Sequence, residues 1–171
     1  MIFAVSQFTI TNSAGGIQIS ALGGGGGGAQ EILLSNYTNA TTTASNVSGM
    51  SWSIAANASK TLRCWLPYSN STGTGGLQLS ISGPGTLVSG LYELRYDIDN
   101  PGTHNIGAAT PGSAWPSSIG STNVSNANVQ FGADFYLQFN NGTTAGTLQL
   151  QAENNGTGTL TIYAGASCIL Q

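Results

Sequence analysis

Few side chains in this 171-residue sequence are equipped for chemistry. The single histidine, His104, sits in GTHNIG with no cysteine or carboxylate near it in sequence. It therefore lacks the partners that a nucleophile–base pair or a metal cluster requires, and it reads as a solvated or interface residue. Asp97 and Asp99 in YDIDN are two residues apart. On an extended strand both point the same way, so with loop carbonyls they form a candidate calcium pair. A D-x-D pair at a strand end is more often a turn former, and no metal or other cofactor is expected. The run LGGGGGGA at 22–29 lacks the Lys-Ser/Thr that completes a phosphate loop. An enzyme that cuts polysaccharide needs two carboxylates across a groove, and the chain has six acids in all. The expected protein is not an enzyme.

Whatever residues matter must be positioned by strands. Apolar residues at helical spacing are nearly absent, and Gly or Pro breaks most windows long enough for a helix. Alternation with period two recurs instead. In NVQFGADFYLQF, Val129, Phe131, Ala133, Phe135, Leu137 and Phe139 alternate with Gln130, Gly132, Asp134, Tyr136 and Gln138. KTLRCWLPY, GLQLSIS, GTLQLQA and GTLTIYA repeat the pattern, and NSTGTGG, SGPG, NNGTTAG and NNGTG separate them as turns. Short strands joined by Gly, Asn and Ser predict an all-β, antiparallel two-sheet sandwich. The longest stretch without a pattern is Asn100 to Ala127, which holds three of the five prolines and reads as one long loop.

Charged residues make up 5% of the chain, against about 25% in an ordinary domain. Disorder does not explain this, because 40% of the residues are hydrophobic. A globule with so few charges is poorly protected from association, so much of its surface is expected to lie against protein. Three basic residues and a net charge of −3 exclude a nucleic-acid footprint. No apolar run is long enough for a membrane span, and MIFAVSQFTI lacks a basic leader and a cleavage site, so no signal peptide is expected.

Residues 1–22 contain two strand-like pieces around SAGG, too small to be stable alone. With Ile2, Phe3, Val5, Phe8, Ile10, Ile17 and Ile19 they read as a docking arm. Residues 23–30, with Gly23, Gly24, Gly25, Gly26, Gly27 and Gly28, read as its hinge, and 31–171 as the jelly-roll domain. The competing reading makes the glycines a long hairpin loop within one domain.

From about Thr41 onward, some three quarters of the chain resembles a known family. The matching segments are VSGMSWSIAANASKTLRCWLPYSNSTGTGGLQLSISGPG and FYLQFNNGTTAGTLQLQAENNGTGTLTIYAGASCIL. Their order resembles the AAN-x-x-Y-R-F, Y-S, TTGL, I-x-GP, TAGTL-x-L and TI-x-AGS series of phage virion proteins, whose final domain is a trimeric jelly roll of the tumour-necrosis-factor type. The chain departs at KTLRCW, where an aromatic residue more often precedes the arginine, and at Ala166, which interrupts AGS.

The resemblance implies a homotrimer assembled in a host cytoplasm and placed in a virion. Its partner is then a major capsid protein or other virion subunit, with a decoration or cement role. The alternative it implies is a tail tip that binds a host surface glycan through Trp65, Tyr68 or Trp115. It also implies that TLRCWLP, FGADFYLQF and TLTIYAG share one sheet, with Leu62, Leu66, Phe135, Leu137, Leu160 and Ile162 facing the core. The opposite side then presents Arg63, Trp65, Asp134, Tyr136, Gln138 and Tyr163 to the threefold, with Arg63 and Asp134 expected to pair. Cys64 and Cys168 fall on neighbouring strands and are expected to be close but unbonded thiols, because cytoplasm is reducing.

Overall fold

Thirteen strands and no helix are present among the described residues of the computed structural model, which are 7–13, 16–22, 28–97, 103–109, 114–120, 123–124 and 126–171, with side chains described outside 7–22 and 103–109. In chain order they are β1 (Gln7–Ser13), β2 (Gly16–Leu22), β3 (Ala29–Leu33), β4 (Tyr37–Asn39), β5 (Ser45–Ile54), β6 (Ser59–Asn70), β7 (Leu77–Ser82), β8 (Leu87–Tyr96), β9 (Thr103–Ala109), β10 (Phe131–Asn141), β11 (Gly146–Asn154), β12 (Leu160–Ile162) and β13 (Ser167–Leu170). Every pairing between them is antiparallel.

A large sheet runs β1-β2-β3-β13-β6-β10-β8-β9, with β12 bridging β6 and β4. A smaller sheet runs β5-β11-β7. Strands that are neighbours in space but distant in sequence, such as β13 and β6, are the mark of a jelly-roll sandwich. The alternation read from the sequence is what permits it, since every second residue faces the opposite sheet. Leu62, Leu66, Phe135, Leu137, Leu160 and Ile162 are all buried, and they meet Val47, Met50, Trp52, Leu79, Leu148 and Leu150 from the small sheet. The strands β6, β10 and β12 share the large sheet as the resemblance implied. Val129 precedes β10 and is exposed, so its alternating run begins to face the core at Phe131, which is half-buried against it.

Buried asparagines fix the loops at one end. The Asn154 carboxamide takes a hydrogen bond from Asn70 at 2.8 Å and donates to the Gly156 and Gly158 carbonyls at 3.0 and 2.9 Å. This ties the turn after β6 to the turn after β11, and it satisfies amides and carbonyls that no strand ladder reaches.

Three readings of the sequence change here. The stretch Asn100–Ala127 is not one irregular loop, because β9 lies inside it and pairs with β8. Its residues THNIGAA carry too little apolar alternation to register as a strand. Further on, Leu79 and Ile119 exchange backbone hydrogen bonds of 2.8 and 2.7 Å along the edge of β7. Trp115 packs edge-on against Phe139 at 5.2 Å, which buries it.

The second change concerns the cysteines, which are bonded, with an S–S distance of 2.06 Å. The expected neighbourhood was right and the thiol state was not. Cys64 and Cys168 are direct register partners on β6 and β13, so folding alone brings their side chains together.

The third concerns the hinge boundary. Ala29 and Gln30 belong to β3, and β2 pairs with β3 from Gly16↔Leu33 to Ile19↔Gln30. Gly23 to Gly27 lie outside the described residues, whereas Gly28 packs where a Cβ would stand 2.2 Å from the Leu170 carbonyl oxygen. Of the arm residues, Ile2, Phe3 and Val5 also lie outside the described residues. Phe8 and Ile10 fall on β1, and Ile17 and Ile19 on β2.

Candidate functional site

The side of the large sheet that faces away from the core gathers most of the chain's unusual side chains. Register fixes its rows. One row runs Ile32, Ser167, Trp65, Asp134, Arg95 and His104 across β3, β13, β6, β10, β8 and β9. The next runs Gln30, Ile169, Arg63, Tyr136, Glu93 and Ile106. A third holds Thr61, Gln138 and Leu91. Cross-strand partners share a face, so four of the nine charged residues, Arg63, Glu93, Arg95 and Asp134, stand at adjoining positions.

Trp65 is the centre of the first row. It is 49% exposed, yet its position is constrained from below. A Cβ on Gly132 would lie 2.4 Å from the indole, so the ring rests on bare backbone that another residue would occupy. The glycine in QFGADF thus makes room for a flat aromatic platform beside Asp134. In the second row the Arg63 guanidinium lies over the Tyr136 ring, 5.3 Å from its centroid, a cation–π contact. Arg95 donates to Glu93 at 2.7 Å. The Glu93 hydrogen bond and charge, with a smaller contribution from Asp134, raise the Arg95 pKa.

Two shallow depressions meet at this cluster. One, of about 350 Å³, is lined by Arg63, Glu93, Arg95, Asp134 and Tyr136. The other, of about 280 Å³, lies between Gln30, Arg63, Trp65, Asp134, Ser167 and Ile169. Both offer guanidinium donors, carboxylate acceptors and an aromatic surface.

Five of the six expected interface residues, Arg63, Trp65, Asp134, Tyr136 and Gln138, fall together on this face. Tyr163 stands apart beyond β12, its hydroxyl 2.9 Å from Ser69 at the far end of β6. The expected Arg63–Asp134 pairing does not form within the chain. Asp134 has Trp65 and Arg95 as its cross-strand neighbours, and Arg63 is opposite Tyr136. Of the aromatic residues named for a glycan groove, Tyr68 and Trp115 are buried and Trp65 alone faces out. The Tyr68 hydroxyl donates to the Asp97 carbonyl at 2.7 Å, and burial, then Tyr96 and Asp97, push its pKa up.

Asp97 also ties β8 to β10 through its amide, which donates to Gly132 at 3.0 Å, while Asp99 lies outside the described residues. Among the described residues no three potential metal ligands converge. Glu93, Arg95 and Ile169 were not anticipated. The alternation in LYELRY, with Leu91, Glu93 and Arg95 on one side and Tyr92, Leu94 and Tyr96 on the other, was the signal available for the first two.

Comparison with known proteins adds little to this geometry. No protein-family model and no curated protein matches the chain. Among solved structures, it is similar to a carbohydrate-binding module, CBM6cm-2 of Cellvibrio mixtus lichenase 5A, in complex with cellotriose. The identity is 13%, over 95% of this chain and 90% of that one, with a TM-score of 0.27. The likeness is too slight to transfer a site.

Proposed function

We propose that this chain is a non-enzymatic structural protein of a phage virion, a trimeric decoration or cement protein that binds the shell. The observation that carries the assembly part is the concentration of Arg63, Glu93, Arg95 and Asp134 around exposed Trp65 on one sheet face. A chain with nine charges gains little solubility by grouping four of them. It gains much in specificity if a neighbouring copy supplies the complement, because like charges then reject other registers. The virion setting rests on the sequence resemblance described above.

Mass measurement by light scattering tests the assembly. The expected species is three chains of 17.3 kDa. Asp134→Ala should shift it towards monomer, because in the proposed trimer the Asp134 carboxylate meets an arginine of a neighbouring copy and its loss leaves that cation unpaired at the interface. A monomeric wild type rejects the trimer, and an unchanged trimer in the variant rejects the role of Asp134. Co-sedimentation with phage capsids then tests the shell as partner, and a truncation lacking residues 1–22 tests whether the β1–β2 segment carries the attachment.

A second reading has its own observation. Trp65 lies flat and half exposed, with Asp134 and Arg63 lining the same depression, an arrangement on which a pyranose ring could stack its C–H face while its hydroxyls meet the charged groups. If the wild type is monomeric, this face stays open. A glycan array with Trp65→Ala as control then decides for or against a receptor-binding role.

A further inference from the structure

We propose that the Cys64–Cys168 bond is a redox latch, closing the sheet edge that carries the N-terminal strands once the folded chain meets an oxidising environment. This inference stands independently of the virion reading.

The argument starts from topology. Strands β1, β2 and β3 reach the rest of the large sheet through β13, which has four residues. The body is held by longer ladders. β10 pairs with β6 from Phe131↔Tyr68 to Asn140↔Ser59, and with β8 from Ala133↔Tyr96 to Asn141↔Leu87. By contrast, β13 pairs with β6 through Ser167↔Trp65 to Leu170↔Leu62, extended by the mutual Thr61–Gln171 backbone bonds of 2.9 and 2.8 Å. The link from these strands to β6 is therefore a short one, and the disulfide spans it between directly opposed residues.

The bond joins residues 104 apart in sequence. A cross-link of that span removes far more loop freedom from the open chain than a local one does. Both cysteines are buried, Cys168 at 1% exposure and Cys64 at 5%, on the side that faces the core. Both also border the depression beside Trp65, and lifting of β13 opens them further to a small disulfide or thiol. The exchange thus reports on the seam itself, and the bond, once formed, slows its own reduction without preventing it.

The chemistry balances with a low-molecular-weight disulfide such as oxidised glutathione as oxidant. One cysteine thiolate attacks it, forming a mixed disulfide and releasing one glutathione thiol. The second cysteine thiolate then displaces the other glutathione. Two protein thiols lose two electrons and two protons, and the oxidant becomes two thiols. In a reducing compartment the reverse reaction, driven by a dithiol such as dithiothreitol, leaves the seam held by its ladder alone.

Hydrogen exchange of the full chain, oxidised with glutathione and then reduced with dithiothreitol, tests the latch. Reduction should speed amide exchange at least about tenfold in 16–22, 29–33 and 167–171, while amides of β5, β10 and β11 stay within about twofold. The melting temperature should fall by roughly 5–15 °C. The variant Cys64→Ala/Cys168→Ala should match the reduced wild type with no reductant present. Uniform acceleration across the chain overturns the proposal, and so does an unchanged edge. A double variant that cannot fold overturns it too, because the latch requires the body to survive without the bond.

Discussion

The two outward faces of the sandwich are built on the same alternation and cover the same core, yet they differ in kind. The outer face of the large sheet carries Arg63, Trp65, Asp134, Tyr136, Glu93 and Arg95 in adjoining rows. The outer face of the small sheet reads Ser53 beside Thr147, Ser51–Gln149–Ser82 across the next row, and Asn46–Gln151–Ser80 beyond it. None of those residues is charged or large and apolar. Gln149 even turns its amide back into the fold, donating to the Val47 and Met50 carbonyls at 3.0 Å where β5 shifts register. Packing constrains the inward residues of a strand and leaves the outward ones open to selection for other ends. The outer face of the large sheet thus holds four of the nine charged residues, whereas these three rows of the small sheet hold none.

The comparison can be broken or sharpened by substitution. The largest effect should come from neither face but from the end of the sandwich. Asn154→Ala strands the Asn70 carboxamide and the glycine carbonyls that it serves, and should cost about 3 kcal/mol in urea unfolding. The assembled mass should persist at temperatures where the fold does. If Asn154→Ala abolishes assembly without loss of stability, recognition is not confined to the large-sheet face.

Next in size is a charge reversal on each face. Arg63→Glu should weaken self-association at least about tenfold, or 1.4 kcal/mol, by sedimentation analysis. Ser53→Glu on the neutral face should leave it within about twofold. Equal effects from the two would erase the distinction between the faces.

A subtler test addresses how Trp65 is held. Gly132→Ala puts a methyl group where the indole now lies, 2.4 Å from the ring carbon that must move. Because the far end of one side chain can swing away, stability should change by less than about 1 kcal/mol. Association, or glycan binding if that reading holds, should weaken several-fold, with a change in tryptophan fluorescence.

The smallest effect concerns Glu153, a buried acid on β11 that continues the outer rows of the small sheet opposite Gln78. Burial raises its pKa, opposed by a hydrogen bond from the Ala44 backbone. The folded state then holds its proton more tightly than the unfolded state, so stability falls as pH rises through the interval between the two pKa values. Glu153→Gln should remove that dependence and gain less than about 1 kcal/mol at pH 7. The gain should vanish as pH falls below the unfolded value. Denaturant midpoints measured from pH 4 to 7 would show it.

Much of this was legible in the chain. Alternation in FGADFYLQF and TLRCWLP gave both the strands and their two faces, because a pleated strand sends successive side chains to opposite sides whatever its partner. The inward set Leu62, Leu66, Phe135 and Leu137 and the outward set Arg63, Trp65, Asp134 and Tyr136 follow from that local rule alone. The strand THNIGAA did not stand out, because its ordering comes from pairing with β8 rather than from any apolar pattern of its own.

What tertiary structure decided is everything set by register between distant strands. Which row Asp134 occupies depends on how β10 slides against β6 and β8, and a slip of one residue would send it to the core. Register, not composition, put Arg63 over Tyr136, placed Arg95 across from Asp134, and set the Trp65 indole on Gly132. It also set Cys168 opposite Cys64 across 104 residues of sequence, where two thiols had been expected. Alternation is a property of one strand and is written in its residues. Adjacency is a property of two strands, and it is fixed only when the shared core has chosen the single offset that buries both apolar faces at once.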